Sequence, residues 1–79
     1  MRATVLVRPK EGILDPQGAA VESALEHLGF AVSGARVGKV VDLEVDAADE
    51  AEARLQVEQM CERLLANPLI ESYEIELHG

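Results

Sequence analysis

The sequence predicts an α+β domain in which two helices cover one face of a four-stranded antiparallel sheet. Three observations favour this fold: two segments with helical periodicity, four short segments rich in β-branched or alternating apolar residues, and their order along the chain, β-α-β-β-α-β. That order is typical of the ferredoxin-like, or split βαβ, two-layer sandwich. At 79 residues, the chain is predicted to be one domain over residues 1–79.

The first strand and the first helix are predicted in the N-terminal third. Apolar residues fill residues 3–7 except for a threonine at position 4, and the alternation of a strand places Ala3, Val5 and Val7 on one face and Leu6 on the other. Asp15 and Pro16 then mark a helix start, because an aspartate can accept hydrogen bonds from the free N–H groups of the first turn and proline has the helical φ. The helix is expected over residues 16–28, ending before Gly29. Its apolar stripe consists of Val21, Ala24, Leu25 and Leu28.

Two strands are predicted in the middle of the chain. Residues 30–36 indicate a weaker strand, because a serine and a glycine interrupt it, and Gly38 then indicates a turn or bulge. Residues 41–45 alternate strictly between apolar and acidic side chains, which is typical of a strand with one dry and one wet face. The apolar face of that strand is expected to contact the core.

The second helix and the last strand are predicted in the C-terminal third. The helix is expected over residues 48–66 and to end at Asn67, which tolerates a left-handed φ, while Pro68 cannot extend the helix. A closing strand is expected over residues 73–77, where apolar and polar residues alternate. The apolar stripe of the helix consists of Ala53, Val57, Met60, Cys61 and Leu64.

Composition excludes several classes of function. The net charge of −8 and the pI near 4.5 disfavour nucleic-acid binding, and two aromatic residues, Phe30 and Tyr73, are too few for base stacking. No apolar stretch approaches the roughly 18–20 residues that span a bilayer, and the N-terminal segment is expected to be a strand rather than a signal peptide. The single cysteine forms no internal disulfide and indicates a reducing, cytoplasmic setting.

A chain of this size is expected to associate with itself. A single small core leaves only about 3–5 kcal/mol of stability, and small domains often gain more by oligomerisation. The predicted helices leave one sheet face open, and Leu6, Val40 and Leu77 are candidates for burial there by a partner. We therefore expect a homodimer or a higher oligomer. Leu55, on the charged side of the second helix, is a further candidate contact.

The sequence indicates no catalytic group, metal site or bound cofactor. Residues 34–40 resemble a phosphate-binding loop, but they are one residue too short, lack the magnesium-binding hydroxyl and lead into a strand. His27 is explained by its place near a helix C-terminus, and His78 by a wet strand position. Cys61 is expected to be a buried, inert thiol.

Four segments together resemble the PurS family. They are residues 10–18 (KEGILDPQG), 24–29 (ALEHLG), 37–39 (VGK) and 60–73 (MCERLLANPLIESY), and their order and spacing make the match specific. The resemblance implies the small subunit of phosphoribosylformylglycinamidine synthase, an enzyme of purine biosynthesis. It implies a non-catalytic protein without a cofactor that joins a glutaminase subunit (PurQ) to a large ATP-dependent subunit (PurL).

The resemblance also implies which residues contact the other subunits. For Asp15, Pro16, Asn67 and Pro68, ordinary helix caps and turns are an equally good explanation. The complete set of expected contact residues is Lys10, Asp15, Pro16, Arg36, Lys39, Asn67 and Pro68.

An alternative interpretation is a small-molecule-binding regulatory domain of ferredoxin-like fold. Such a domain would also dimerise and lack catalytic residues, and its signature is a glycine-rich loop after the first strand. Residues 8–12 are only a faint version of that loop. An acyl carrier would require an Asp-Ser-Leu attachment site, and this tripeptide does not occur.

Overall fold

A computed structural model describes all 79 residues and contains one antiparallel sheet of three strands. The strands are β1 (Arg2–Pro9), β2 (Lys39–Glu44) and β3 (Glu71–His78), in the spatial order β2-β1-β3. β1 is central because its residues 2–7 pair on both sides, as Val5 does with Val41 and Ile75. The three strand predictions that involve these segments are confirmed, as is the antiparallel sheet.

Two helices and a π-helical segment connect the strands. They are α1 (Pro16–His27), α2 (Glu50–Met60) and the π-helical segment Cys61–Leu65, which continues α2 directly. Pro16 occupies the first turn of α1 as predicted, and Gly29 ends it with φ +94°. The N–H groups of Gly29 and Phe30 donate to the carbonyls of Glu26 and Leu25, which is a Schellman motif.

The core lies between one face of the sheet and α2. Side chains alternate along a strand, so Ala3, Val5 and Val7 of β1 share this face, and all three are almost completely buried. Ala53, Val57 and Cys61 belong to the same core cluster, on α2 and its π-helical continuation. The fully buried core therefore consists of few and mostly small side chains, and a cysteine and three alanines belong to it. The eight core residues are Ala3, Val5, Val7, Val45, Ala53, Val57, Cys61 and Ala66.

The predicted fourth strand does not form, and the expectation of a four-stranded ferredoxin-like sheet is wrong. Residues 30–36 pair with no strand. Gly29, just before this segment, and Gly34, within it, adopt positive φ values of +94° and +128°, so the backbone does not extend along the sheet. The segment runs back beside α1, where Gly18 lies so close to the carbonyl of Ala35 that a Cβ would not fit.

The expectation that both helices cover the sheet is wrong for α1. Of its twelve residues only Gly18 is buried, whereas Val21 is 41% and Leu28 is 72% exposed. The molecule is correspondingly long, with extents of 50 × 25 × 14 Å. Its radius of gyration is 15.7 Å, whereas a compact chain of this length has about 12 Å. α1 therefore projects from the body that the sheet and α2 form.

Three local predictions near the second helix and the sheet are also corrected. Leu64 is 82% exposed, because the wider π-helical turn places Leu65 and Ala66, rather than Leu64, on the side of the core. The helix ends at Leu65, and Asn67 does not adopt a left-handed φ. The side chain of Leu77 lies on the core face, since Leu77 pairs with Ala3, and so it cannot help to bury the open face.

Candidate partner-contact site

Three loops meet at one end of the sheet and bring the seven predicted contact residues together. They follow β1, precede β2 and precede β3, so their meeting follows from the antiparallel order of the strands. We call this region the loop junction and define it as residues 10–16, 35–39 and 66–71. Every predicted contact residue lies in it: Lys10, Asp15, Pro16, Arg36, Lys39, Asn67 and Pro68.

Lys10 connects the loop after β1 to the loop before β3. Its backbone N–H donates to the carbonyl of Ile70 at 2.9 Å, and its Nζ donates to the carbonyl of Pro68 at 2.7 Å. Both bonds join residues that are about sixty positions apart in the sequence. Since Lys10 is exposed, its ammonium group fixes the loop and still carries a positive charge at the surface.

Asp15 connects the start of α1 to the segment before β2. Its Oδ2 accepts the backbone N–H of Val37 at 2.8 Å. That hydrogen bond is the largest cause of a lowered pKa of the Asp15 carboxyl; the nearby N–H of Gly18 also lowers it, burial opposes the shift, and the N–H of Gln17 and the charge of Arg36 contribute less. Asp15 occupies the N-cap position as predicted, but the N–H groups of the first turn lie near its carboxylate without forming a regular capping hydrogen bond, and the bond of good geometry goes to Val37 instead.

Arg36 and Lys39 place positive charge beside the end of β1. The guanidinium of Arg36 donates from Nη2 to the carbonyl of Pro9, and Lys39 pairs with Val7 at the start of β2. With Arg8 and Lys10, this region holds four of the seven lysines and arginines in a chain whose net charge is −8. Glu11, Asp15 and Glu71 also belong to the loop junction, so positive charge is concentrated only where Arg8, Arg36 and Lys39 lie around the end of β1. That local cluster on an acidic protein favours an acidic partner surface.

Asn67 and Pro68 form a hydrogen-bonded turn. The Oδ1 of Asn67 accepts the N–H of Leu69 at 3.1 Å, and its backbone N–H donates to Oε1 of Glu71 at 2.7 Å. The carbonyl of Asn67 accepts the N–H groups of Ile70 and Glu71. The asparagine thus organises the turn with its side chain, as Asx turns do, rather than through a left-handed backbone.

Two open depressions adjoin the loop junction. One, of about 170 Å³, is lined by residues that include Arg8, Arg36 and Lys39. The other, of about 480 Å³, is a wide groove between the start of α1 and residues 33–36. Neither contains a cluster of three or more histidine, cysteine, aspartate or glutamate side chains, and the chain has none elsewhere.

The remaining candidate groups for chemistry have structural partners. Nδ1 of His27 lies 2.8 Å from the carbonyl of Ser23, and Nε2 of His78 lies 3.1 Å from the hydroxyl of Thr4. Cys61 is fully buried as predicted, and its pKa is raised mainly by that burial.

No helix is both long and apolar enough to cross a membrane.

Sequence reasoning missed the hydrogen bonds that tie the loops to one another. The bonds from Val37 to Asp15 and from Arg36 to Pro9 involve backbone groups, which carry no signal in residue type. It also missed the bond from the hydroxyl of Tyr73 to Oε1 of Glu62, at 3.0 Å, which holds the π-helical segment against β3. The two glycines with close backbone neighbours, Gly18 and Gly38, were the available signal, since a Cβ at either would clash with a carbonyl oxygen.

The fold and the site define a small α+β module with a projecting helix, a hydrogen-bonded loop junction and much exposed apolar surface. The chain matches the model of the PurS family, phosphoribosylformylglycinamidine (FGAM) synthase, over residues 2–79. It is 47% identical over 77 residues to the FGAM synthase subunit PurS of Synechocystis sp., a match that covers 96% of this chain and 75% of that one. The chain belongs to the PurS family, as the sequence resemblance indicated.

Solved structures of PurS proteins share the observed fold. Bacillus subtilis PurS superposes with a TM-score of 0.88 at 39% identity, covering 99% of this chain and 98% of that one. A chain in the structure of PurLQS from Thermotoga maritima superposes with a TM-score of 0.86 at 36% identity, covering 95% and 93%. The projecting helix and the three-stranded sheet are therefore part of a fold that the family shares.

Proposed function

We propose that this chain is the non-catalytic small subunit of an FGAM synthase and joins the glutaminase subunit (PurQ) to the ATP-dependent subunit (PurL). The complex would convert formylglycinamide ribonucleotide, glutamine, ATP and water to FGAM, glutamate, ADP and phosphate. The observation that carries the proposal is similarity over almost the whole chain to PurS proteins, including a chain of PurLQS. The lone buried thiol of Cys61 fits a reducing, cytoplasmic location.

The physical need for such a subunit lies in the chemistry of ammonia. In neutral water free ammonia is mostly ammonium, which is not a nucleophile, so transfer between two active sites requires that they be held in a fixed relative position and shielded from water. A protein with a hydrogen-bonded loop junction and no catalytic cluster is suited to that task. We propose that the contacts to the larger subunits lie at the loop junction, because Arg36 and Lys39, together with the adjoining Arg8, form a local cluster of positive charge on an acidic protein.

We also propose that the working form is at least a homodimer. Only nine of 79 residues are buried, and ten large apolar side chains are exposed. So small a core leaves the isolated chain with little stability, and a second copy is the partner that is always present.

Reconstitution from purified subunits tests this function. We expect glutamine-dependent FGAM synthesis by the two larger subunits to require this chain, while synthesis supported by added ammonium salts does not, because external ammonia bypasses the transfer step. The measurement is the rate of FGAM formation with each nitrogen source, with and without this chain. Equal glutamine-dependent rates in its absence would contradict the proposal.

A charge reversal within the same assay tests the loop junction. Lys39→Glu is expected to raise the concentration of this chain that gives half of the maximal glutamine-dependent rate. Arg54→Glu, an equal change at an exposed position of α2, is the matched control and should leave that concentration unchanged. Equal effects of the two variants would place the contacts outside the loop junction.

A further inference from the structure

The smaller depression at the loop junction is lined by cations and by no carboxylate. It has a volume of about 170 Å³ and lies where β1 ends and β2 begins. Of its eight lining residues, three are the cations Arg8, Arg36 and Lys39, and the others are uncharged. The whole chain, in contrast, has 15 acidic residues and only seven lysines and arginines. The depression is therefore a local site of positive potential, and it attracts anions.

Close backbone packing holds two of these cations beside each other. Val7 pairs with Lys39 in the last step of the ladder between β1 and β2. Gly38 directly precedes that pair, and it lies so close to the carbonyl of Val7 that a Cβ would not fit. Adjacent strands are about 4.8 Å apart, so Arg8, next to Val7, and Lys39 extend from backbone segments in direct contact. The two positive charges thus belong to one rigid part of the fold.

The third cation, Arg36, is fixed by a hydrogen bond to the end of β1. Its Nη2 donates to the carbonyl of Pro9. A guanidinium has five N–H donors in a planar fork, and the remaining donors of Arg36 bond to no other group of the chain. A fixed planar group with free donors is suited to a two-point contact with an oxyanion.

Two carboxylates lie outside the lining but near its arginines. Glu74 is 3.4 Å from Nη1 of Arg8, and the two side chains are 66% and 54% exposed. Such an exposed ion pair contributes little to stability, so Arg8 can exchange it for a bound anion. Asp15 is close enough to Arg36 for that charge to lower its pKa, although this effect is the smallest of the causes. The Oδ2 of Asp15 is bonded to the N–H of Val37 instead.

The size and charge of the depression select the class of anion. Pockets that hold whole small molecules have about 300–1,000 Å³, so this depression has room for one small group and not for a nucleotide. A carboxylate carries a single negative charge, which three cations exceed. A phosphate group carries about −1.5 to −2 charges at pH 7 and offers three acceptor oxygens, which is the better match.

We propose that this depression binds a phosphate group, either as inorganic phosphate or as the end of a phosphate monoester, through the side chains of Arg8, Arg36 and Lys39. The two guanidinium groups provide directed N–H donors, and the ammonium group of Lys39 provides a point charge. All three cations belong to one chain, so the site goes beyond the proposed function and requires no other subunit.

Titration of the full chain with potassium phosphate tests the site. The ¹⁵N–¹H spectrum is followed at pH 7.5 without the larger subunits, and potassium chloride keeps the ionic strength constant so that screening does not change. We expect the amide signals of residues 7–8 and 36–40 to shift and to saturate with a dissociation constant of about 1 mM or below. Shifts that do not saturate, or that saturate at other residues, would overturn the proposal.

A matched pair of double variants separates a defined site from the effect of net charge. Arg8→Gln/Lys39→Gln removes two of the three cations and is expected to weaken phosphate binding at least about tenfold, because each charge-assisted hydrogen bond is strong. Arg54→Gln/Arg63→Gln removes two exposed cations from α2 and its π-helical continuation and should leave binding unchanged. Equal weakening in the two double variants would contradict a site in the depression.

Two further ligands test the class of anion and its source. Acetate, with one charge, is expected to bind at least about tenfold more weakly than phosphate, and equal affinities would refute the assignment to phosphate. Ribose 5-phosphate is the phosphate monoester, and it is expected to shift the same amides. The tighter of the two phosphate ligands identifies whether the site prefers the free ion or the ester.

These results are separable from those for the synthase, since they are obtained with this chain alone. A chain that binds phosphate in the depression but has no effect on glutamine-dependent synthesis would support the site and refute the proposed function. A chain that supports synthesis but shows no saturable phosphate binding would refute the site alone.

Discussion

Asp15 shows how a single residue can occupy the expected place and make a different contact. It directly precedes α1, where a cap is expected, yet its carboxylate accepts the N–H of Val37, 22 residues along the chain. Residue type predicts that an aspartate before a helix accepts backbone N–H groups, but it cannot specify which of the nearby groups donates. The bond fixes the segment before β2 to the start of α1 and so holds the loop junction together.

Replacement of Asp15 is expected to destabilise the protein in a manner that depends on pH. The pKa of Asp15 is lowered in the folded state, mainly by the hydrogen bond from Val37. The ionised carboxylate therefore stabilises the fold fully above its unfolded pKa of about 4. This contribution is lost as the pH falls through the folded pKa. We expect Asp15→Asn to melt at a lower temperature than the wild type at pH 7 and the difference to shrink below about pH 4. Thermal denaturation between pH 3 and pH 7 measures both.

Glu76→Gln is the control for that series, since Glu76 is exposed on β3 and its side chain has no hydrogen-bond partner. Its melting temperature should follow that of the wild type throughout. A difference between Asp15→Asn and the wild type that is the same at pH 3 and pH 7 would refute the role of the charged form.

At the scale of the elements, five of the six predicted segments form, and their order is right. Strong periodicity and helix punctuation are local signals, which is why α1 begins at Pro16 and ends before Gly29 as expected. The failed strand over residues 30–36 has a comparable apolar content, but strand formation depends on a partner strand elsewhere in the chain. The exposure of Leu64 follows from the π-helical turn, which no periodicity of 3.6 residues predicts.

The start of α2 offers a test of helix capping. Oδ1 of Asp49 accepts the N–H of Glu52 at 2.8 Å, and Oε2 of Glu52 accepts the N–H of Ala48 in return at 3.1 Å. Loss of such a cap costs about 0.5–2 kcal/mol, so Asp49→Ala is expected to lower the free energy of unfolding by about 1 kcal/mol. Urea denaturation at a fixed protein concentration measures the loss.

Glu58→Ala, at an exposed position inside the same helix, is the control and should change the free energy of unfolding by less than about 0.5 kcal/mol. If both variants lose the same amount, the cap contributes nothing beyond a change on the helix surface.

For the molecule as a whole, the sequence indicated a protein with a thin core. The short chain predicted this core and an oligomer, and the expected open surface was the sheet face with Leu6 and Val40. That face carries mostly charged and polar residues, while large apolar side chains are exposed elsewhere, most of all Leu14, Leu69 and Leu64. Helical periodicity identified the apolar stripe of α1, but whether that stripe packs on the sheet depends on the path of the connecting backbone, which residue type does not specify.

The candidate site also required the tertiary structure. Family resemblance supplied its seven residues, from Lys10 to Pro68, and the loop junction shows that they adjoin one another at one end of the sheet. Their positive charges lie near the start of α1, because Asp15, which directly precedes the helix, accepts the N–H of Val37, the residue after Arg36.

The most direct test of the central claim, that this chain is completed by a second copy of itself, is the mass of the pure protein in solution. Light scattering at micromolar concentration is expected to give at least twice the chain mass of 8.5 kDa. A folded, stable particle of a single chain mass at that concentration would contradict the account.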